Sequence, residues 1–592
     1  MKKIILIEPK TRKEHVFSTA RMPRLGLPLL GTQLRDAGYE VHIYLEAITD
    51  LPWANILDAD LIGISTTTST CQEAYRLASF IRSHHIPVII GGIHATFLPD
   101  EALQYGDYVV RGEADQSFLP LVRVLEKDEQ PVDVPGVSYL KDGVPVHNPY
   151  KKYIVDVNEL PIPDLSLFTN KKIKGSIPIM TSRGCPHNCS FCSVTAMFGH
   201  KYRFRRTELV LEELALYQGK DVFFCDDNFT DNYRRTKELL QGMLERKIRL
   251  NGWGAQVRVE AARNDELLDL MQRTGAKIVY IGLESINPAT LEAYNKKQSI
   301  EDIRNSIRRF HDHGIRVHGM FVFGSDEDTV QTIRDTADFA LETRIDSIQF
   351  MILTPLPGTP FYEKLETEGR LLTKDWELYD GHHAVFQPAK MSPEELQEET
   401  VKAMKRFYSL RHAFQNAFLT GWGSVIYRGV GWLLVRRFEK QNRWYDQILD
   451  RFQKRSARTV PLFYRRLQIK GNENLAKVDN VDHLKIYVSE SNGTFYLTLR
   501  GFLDRLTMKK LNRYIRDLLP QHCFHLVINT EGLSILSEKA AQAFTRFLHR
   551  LGRRVRRIQL VYKVEGNSRL SFAEKFSLKF KLPRFEILPG KR

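Results

Sequence analysis

No run of ~18 or more apolar residues occurs anywhere in the chain, so nothing in it reads as a transmembrane helix. Internal repeats and low-complexity tracts are missing too, which sets aside solenoid and disordered classes. There is no charged-then-apolar leader: Met1–Lys3 runs straight into Ile4–Ile7. That start predicts a buried first strand, and the expected compartment is the cytoplasm. Cysteine is scarce. Of the six, Cys185, Cys189 and Cys192 fall within eight residues, while Cys71, Cys225 and Cys523 are scattered. Such a distribution excludes a disulfide framework and turns attention to the crowded three.

What is present is ordinary in bulk and uneven in distribution. Hydrophobic content is 43% and charged content 27%, as in soluble globular proteins. At 592 residues the chain exceeds what one hydrophobic core serves, so about three or four domains are expected. Residues 401–592 carry 39 Lys and Arg against 14 Asp and Glu, a net of +25; the rest carries 47 against 57, a net of −10. A mildly acidic body thus bears a basic tail, which fits either an anionic partner or a solvated surface.

The pattern is α/β throughout. In residues 1–128, apolar runs Lys3–Ile7, Val41–Leu45, Leu61–Ser65, Val88–Gly91 and Tyr108–Val110 alternate with helical stretches near 25–37, 70–84 and 115–127. This predicts a doubly wound parallel sheet whose ligand lies beyond the carboxyl ends of its strands. Residues 129–170 read as a connector, with a hairpin turning at Asp142–Gly143. Residues 171–390 hold six further strand–helix units, beginning at Ile177, Val222, Gly252, Ile278, Val317 and Ile348. Six units on right-handed crossovers predict a partial (β/α)6 barrel. Residues 391–478 form a basic helical segment, and 479–592 a small α/β domain with strands near 484–489, 494–500, 524–529 and 557–563 and helices near 506–518 and 537–551.

The segment Thr181-Ser-Arg-Gly-Cys185-Pro-His-Asn-Cys189-Ser-Phe-Cys192 sets three thiols in a tight loop after the first barrel strand. Three thiolates ligate three irons of a [4Fe–4S] cluster and leave the fourth open, as a reactive cluster requires. Zinc is the alternative, with His187 or His200 as fourth ligand, although zinc loops favour paired Cys-x-x-Cys spacing.

Cys-x-x-x-Cys-x-x-Cys in this position resembles the signature of the radical S-adenosylmethionine superfamily. The resemblance implies that the open iron chelates S-adenosylmethionine and that one electron cleaves it to a 5′-deoxyadenosyl radical. It also implies roles at the other strand ends. Asp226 and Asp227, with Asn228 beside them, would meet the methionyl ammonium. Gln256 and Arg258 would bind the same ligand from the third strand end, Glu284 would bind its ribose or carboxylate, and Thr354 would lie near the adenine. Cys225 is expected to face the barrel core as a small hydrophobe.

The preceding domain resembles the cobalamin-binding domain of the magnesium-protoporphyrin cyclase-like and hopanoid methylase-like members of that superfamily. Ser65, Thr66, Gly91, Gly92, His94, Gly112 and Glu113 are the loop residues that would line the cofactor. The Asp-x-His-x-x-Gly motif that gives cobalt a lower histidine elsewhere is absent, since the chain reads Glu8-Pro-Lys-Thr-Arg-Lys-Glu14-His15. A domain that kept the fold and lost the cofactor is the alternative. The resemblance implies methyl transfer to an unactivated carbon of a lipid-like or secondary-metabolite substrate, or else radical cyclisation or rearrangement. It also implies a low-potential electron donor of flavodoxin or ferredoxin type.

Two readings attach to the tail. Phe414, Phe418, Trp422, Val425 and Ile426, then Trp432–Leu434, lie among Arg411, Arg428, Arg436, Arg437 and Arg443. This is the pattern of a helix lying at the inner membrane face, or of a bundle covering the barrel with snorkelling arginines. Residues 483–565 resemble the domain of sulfate transporters and anti-sigma-factor antagonists (STAS). There Glu538 or Lys539 takes the place of the phosphorylated serine, so docking of a protein partner is expected rather than a phosphoswitch. A non-catalytic scaffold acting through this domain is the reading from another class. Methylthiolating relatives of the superfamily carry a different cluster domain and an RNA-binding barrel; neither is evident, so nucleic acid is not an expected partner.

Overall fold

The computed structural model describes residues 2–11, 22–149, 155–169, 175–409, 412 and 428–440, together with six strands and Phe544 and Phe547 in the C-terminal part. The chain divides into two units, Met1–Gln453 and Lys454–Arg592. The division falls inside the segment 391–478 expected to be one piece. The domains expected at 1–128 and 171–390 share the first unit. One apolar cluster runs from Ile5 and Ile64 through Val257 and Phe321 to Phe438, so they have a common core.

The first sheet contains β1 (Lys3–Glu8), β2 (Glu40–Leu45), β3 (Leu61–Thr66), β4 (Val88–Gly92) and β5 (Tyr108–Val110), then β6 (Val137–Lys141) and β7 (Val144–His147). Their order is β2-β1-β3-β4-β5-β6-β7. The first five are parallel, and the β6–β7 hairpin adds antiparallel at the β5 edge. The connector hairpin is therefore part of the sheet. It covers the edge amides that β5 would otherwise leave bare. Order reverses between β1 and β3, where a doubly wound sheet opens its ligand crevice.

The barrel follows with β8 (Ile177–Ile179), β9 (Ser182–Arg183), β10 (Arg203–Phe204), β11 (Asp221–Phe224), β12 (Gly252–Val257), β13 (Ala276–Glu284), β14 (Arg316–Phe323) and β15 (Ser347–Ile352). Six of these form one parallel sheet, β8-β11-β12-β13-β14-β15, whose end strands are not paired to each other. The barrel is open, as six units predict. The first strand is shorter than the expected Ile177–Ser182: Ser182–Arg183 leave the sheet and pair antiparallel with Arg203–Phe204, pinching the base of the cysteine loop. Residues alternate in the usual way. Outward-facing Val279, Ile281, Ile348 and Phe350 are fully buried, whereas Tyr280, Met320, Gln349 and Met351 on the opposite strand faces are half-exposed. Part of the lumen face thus stays open to solvent, unlike the packed core of a full eight-unit barrel.

Helices cap where their sequences say they should. Ser299 with Asp302 begins Ile300–Asp312, and Ser392 with Glu395 begins Pro393–Phe407, each as a capping box. The helix over 428–440 lies on the barrel. Arg428 donates to the carbonyls of Phe407 (3.2 Å) and Ile345 (3.1 Å) and stacks on the Phe407 ring at 4.4 Å, while Val435 and Phe438 are buried. This described part of the basic segment covers the barrel, and Val430 and Leu433 face outward. Phe414, Phe418, Trp422, Val425, Ile426, Arg411 and Arg443 lie outside the described residues. No helix among the described residues is long and apolar enough to cross a membrane.

The C-terminal unit has β16 (Val478–Val481), β17 (Leu484–Ser491), β18 (Thr494–Leu503), β19 (His525–Ile535), β20 (Arg557–Tyr562) and β21 (Phe585–Pro589), paired in sequence order. The first three are antiparallel and β18 to β21 parallel. Two strands, β16 and β21, add to the four expected. Both helices expected there lie outside the described residues.

Candidate active site

The cysteine loop is built by its flanks. Gly184 adopts φ +90, and a Cβ there would come within 2.7 Å of the Lys201 carbonyl, so only glycine lets the chain turn into Cys185. The loop then leans on the segment after β13. Asn295 Nδ2 donates to the Asn188 carbonyl (3.0 Å), Ser190 Oγ to the Ala293 carbonyl (3.2 Å), and the Phe191 ring meets Tyr294 edge-on at 4.8 Å.

All three cysteines are free and half-exposed. Burial pushes the Cys185 thiol up to about 11, and the charge of Asp227 pushes the same way; Cys192 is raised for similar reasons. Such thiols need a cationic centre to ionise. A single zinc would draw its ligand atoms to within about 4 Å of one another, given Zn–S bonds near 2.3 Å. Among the described residues the one trio of His, Cys, Asp or Glu atoms within 4.8 Å is Cys71, His94 and Glu101. His187 is paired with Asp231 at 2.7 Å, and His200 is exposed. Three thiolates on one loop fit one iron each in a cluster.

The neighbouring strand ends separate into two kinds. Asp226 does not face the loop's open side. Fully buried, its carboxylate accepts from Thr181 N (3.2 Å), Thr181 Oγ1 (2.9 Å) and the Ser182 hydroxyl. Asp226 thereby fixes the backbone leading to Cys185. Asp227 has no such partner among the described residues; burial and the charge of Asp226 raise it to about 7. Glu284 ends β13 at a bulge with φ +60 and pairs with Lys296 at 2.8 Å, both side chains about a tenth exposed or less. Arg258 pairs with Glu260 at 3.0 Å and adds to the charge around Cys185 and Cys189. Gln256 is half-exposed on β12, and Thr354 Oγ1 donates to the Ile352 carbonyl (3.0 Å). Cys225 packs with Met180 against the strap residues Val155, Val157 and Leu160.

The carboxyl edge of the first sheet faces this loop. Gly92, at φ +95, lies so close to Thr66 that any Cβ would overlap the Thr66 backbone. Thr66 Oγ1 donates to the Gly91 carbonyl (2.8 Å), and the Gly112 amide donates to Thr96 Oγ1 (2.9 Å). Ser65, Gly91 and Gly92 remain half-exposed, which leaves a floor of bare backbone that a large planar ligand fits.

Two expected ligand residues do other work. Glu113 is enclosed between guanidiniums, accepting from Arg183 Nη1 (2.8 Å) and from Arg203 Nη1 (2.9 Å) and Nη2. Asp115 takes a further bond from Arg183 (2.7 Å). His94 is fully buried, with Nε2 on Glu101 (3.2 Å) and its ring edge-on to Trp376 at 5.2 Å; Trp376 Nε1 also donates to Glu101 (3.1 Å). Both residues brace the first sheet against the barrel, as does Gln72 Nε2 on Asp375 (3.1 Å). Glu113 lies just past β5, and Arg183 lies in the segment that runs from the end of β8 into the cysteine loop, so the carboxyl edge of the first sheet meets the barrel at the base of that loop.

Inside the lumen, sequence reasoning missed a polar ladder. The Tyr280 ring packs 4.7 Å from His318, whose Nδ1 meets Ser347 Oγ at 2.8 Å. Burial lowers His318 to about 4, so its imidazole is neutral. These residues gave no motif; only their inward parity on adjacent strands identifies them.

Comparisons with known proteins agree with this geometry. A model of the radical SAM superfamily matches residues 179–340, and one of the B12 binding domain matches 18–122. An uncharacterized methyltransferase of Pyrococcus horikoshii is 31% identical over 453 residues, 73% of this chain and 98% of that protein. Bacteriochlorophyllide d C-12(1)-methyltransferase of Chlorobaculum tepidum is 30% identical over 420 residues, 69% of this chain and 87% of that one. Among solved structures, the radical S-adenosylmethionine methyltransferase TsrM from Kitasatospora setae, with cobalamin and a [4Fe–4S] cluster bound, superimposes with TM-score 0.57 at 17% identity. That match covers 74% of this chain and 99% of TsrM and speaks to fold alone.

Proposed function

The chain belongs to the radical S-adenosylmethionine superfamily, in the group that joins a B12-binding domain to the barrel, and we propose that it places a methyl group on an unactivated carbon of a large, mainly apolar molecule of lipid-like or secondary-metabolite type. Its cofactors are a [4Fe–4S] cluster, S-adenosylmethionine and cobalamin. Together these supply one-electron cleavage of S-adenosylmethionine and a transferable methyl group.

The protein's part is positioning. Cys185, Cys189 and Cys192 hold the irons. Asp227, a carboxylate with no hydrogen-bond partner among the described residues, faces the methionyl ammonium, where a charge-assisted contact is strongest. Gln256, Arg258, Glu284 and Thr354 line the rest of that ligand. Ser65, Thr66, Gly91, Gly92 and Gly112 form the floor for the corrin, with His94 and Glu113 bracing it from behind. The observation that carries the reading is the meeting of the first sheet's carboxyl edge with the base of the cysteine loop across the Glu113–Arg183–Arg203 contact. It supports a methyl donor held opposite the cysteine loop, close to where a substrate radical would be formed. A partly open lumen with Met320 and Met351 on its wall and Tyr280, His318 and Gln349 beside them suits an apolar molecule bearing a polar end. The bacteriochlorophyllide relative acts on a molecule of that size and character.

Electron supply is assigned to a flavodoxin- or ferredoxin-type donor. Val430 and Leu433, exposed beside Arg436 and Arg437, support peripheral contact with the inner membrane face. The C-terminal unit, read as STAS-like, is assigned to docking.

The test is a lipid and metabolite comparison of producing and deleted strains grown without oxygen. The reading expects a compound in the producer that is heavier by one methylene than its counterpart in the deletion. A difference of two hydrogens or of an oxygen, with no methylene shift, would point to cyclisation or rearrangement instead.

A further inference from the structure

Lys296 stands in the run Asn295-Lys-Lys-Gln298, which reads as solvated surface, yet its side chain is 8% exposed. The cause is the clamp already described: Asn295 on Asn188, Tyr294 on Phe191 and Ala293 on Ser190 press this segment onto the cysteine loop. Lys296 is carried inward with it. Its ammonium rests on Glu284 at 2.8 Å and interacts with Cys189 and Arg258. Arg258 in turn interacts with Cys189 and Cys185. Two cations, Lys296 and Arg258, therefore stand by the cysteine loop, and Asp227 is the carboxylate whose charge acts on Cys185 and Cys192. The Glu284 carboxylate at 2.8 Å holds the buried amine as an ammonium.

Reduction adds one negative charge to the cluster. A buried cation stabilises that charge far more than an exposed one, because solvent screening is weak there. We propose that Lys296 tunes the cluster held by Cys185, Cys189 and Cys192, its buried ammonium raising the reduction potential so that a biological donor can deliver the electron. Glu284 holds the ammonium in place and limits the size of the effect. This inference rests on the assignment of the cluster to those three thiolates.

The experiment is a potentiometric titration followed by electron paramagnetic resonance, on full-length reconstituted protein, with and without S-adenosylmethionine. Iron and sulfide are counted first. If wild type fails to hold about four of each, the cluster assignment fails, separately from this inference. With the cluster intact, Lys296→Gln is expected to cut the reduced-to-oxidised ratio about tenfold at the wild-type midpoint, equivalent to about 59 mV for one electron. Lys296→Arg is expected to restore it. Should Lys296→Gln not fold, Glu284→Gln serves instead: it frees the cation from its counter-charge and is expected to raise the potential. An unchanged midpoint in a variant with full iron content overturns the proposal. So does a shift seen only with S-adenosylmethionine present, which would make Lys296 a partner of that molecule's carboxylate rather than of the cluster.

Discussion

Glu113, at the carboxyl edge of the first sheet, and Arg183, two residues before Cys185, meet at 2.8 Å with both side chains no more than a tenth exposed. The contact joins residues 70 apart in sequence, one from each cofactor-binding half. Arg203 pairs with the same carboxylate, and β9–β10 pairs Arg183 with Arg203 directly. A single buried carboxylate thus fixes both strands at the base of the cysteine loop relative to the carboxyl edge of the first sheet.

Breaking that contact from one side leaves buried charge without a counter-charge. Glu113→Gln is expected to destabilise the first unit by about 3–5 kcal/mol, read as a shift in the urea midpoint. Combining it with Arg183→Met is expected to recover part of the loss, so a double-mutant cycle would show coupling. Strict additivity would mean that the two residues act independently.

Gly92 has a different failure mode. Alanine there requires φ +95 and a Cβ overlapping Thr66, so the ends of β3 and β4 must separate, at more than ~1 kcal/mol. Gly92→Ala is expected to lower cobalamin retained after gel filtration while iron content stays at the wild-type level. Equal loss of both would place Gly92 in general folding instead.

The two aspartates after β11 are expected to diverge. On the proposed contact of Asp227 with the methionyl ammonium, Asp227→Asn is expected to weaken S-adenosylmethionine binding by about tenfold or more, in line with ~1.5–3 kcal/mol for a charge-assisted bond, with iron retained. Asp226→Asn disturbs the Thr181–Ser182 anchor, and lower iron content is expected there. Isothermal titration and iron analysis separate the two. A reversal of the two outcomes would exchange these roles.

His318 gives a pH signature. Its folded pKa is about 4 against an ordinary 6.5, so the unfolded chain binds the proton more readily. Stability is therefore complete above pH 6.5 and is lost as pH falls toward 4. At about 1.4 kcal/mol per pKa unit, the loss is roughly 3 kcal/mol. His318→Gln is expected to flatten the urea midpoint across that window, as followed by circular dichroism; an unaltered slope would show that His318 is not the group responsible.

What was legible in the sequence followed from burial on both faces. Runs such as Ile4–Ile7 and Val88–Ile90 can belong only to interior parallel strands, and the cysteine spacing states its own chemistry. Edge pairing was not legible: Asp142–Gly143 announces a hairpin but not that it will join β5. The partners of charged residues were the least legible. Glu113 and His94 sit where loop residues meet cofactor, and nothing local shows that Arg183, Arg203 or Trp376, far along the chain, will claim them. Lys296 resembles solvated surface in sequence and became buried through contacts of its neighbours. Asp226 and Asp227 are equivalent in sequence, and only the direction of each side chain from the end of β11 distinguishes the anchor from its neighbour.

The most direct test of the central claim is reductive cleavage of S-adenosylmethionine by anaerobically reconstituted full-length protein. Wild type holding about four irons is expected to form 5′-deoxyadenosine when given S-adenosylmethionine and a strong low-potential reductant, and the combined Cys185→Ala, Cys189→Ala, Cys192→Ala variant is expected to form none. A wild-type preparation with its iron and sulfide complete that releases no 5′-deoxyadenosine would contradict the account.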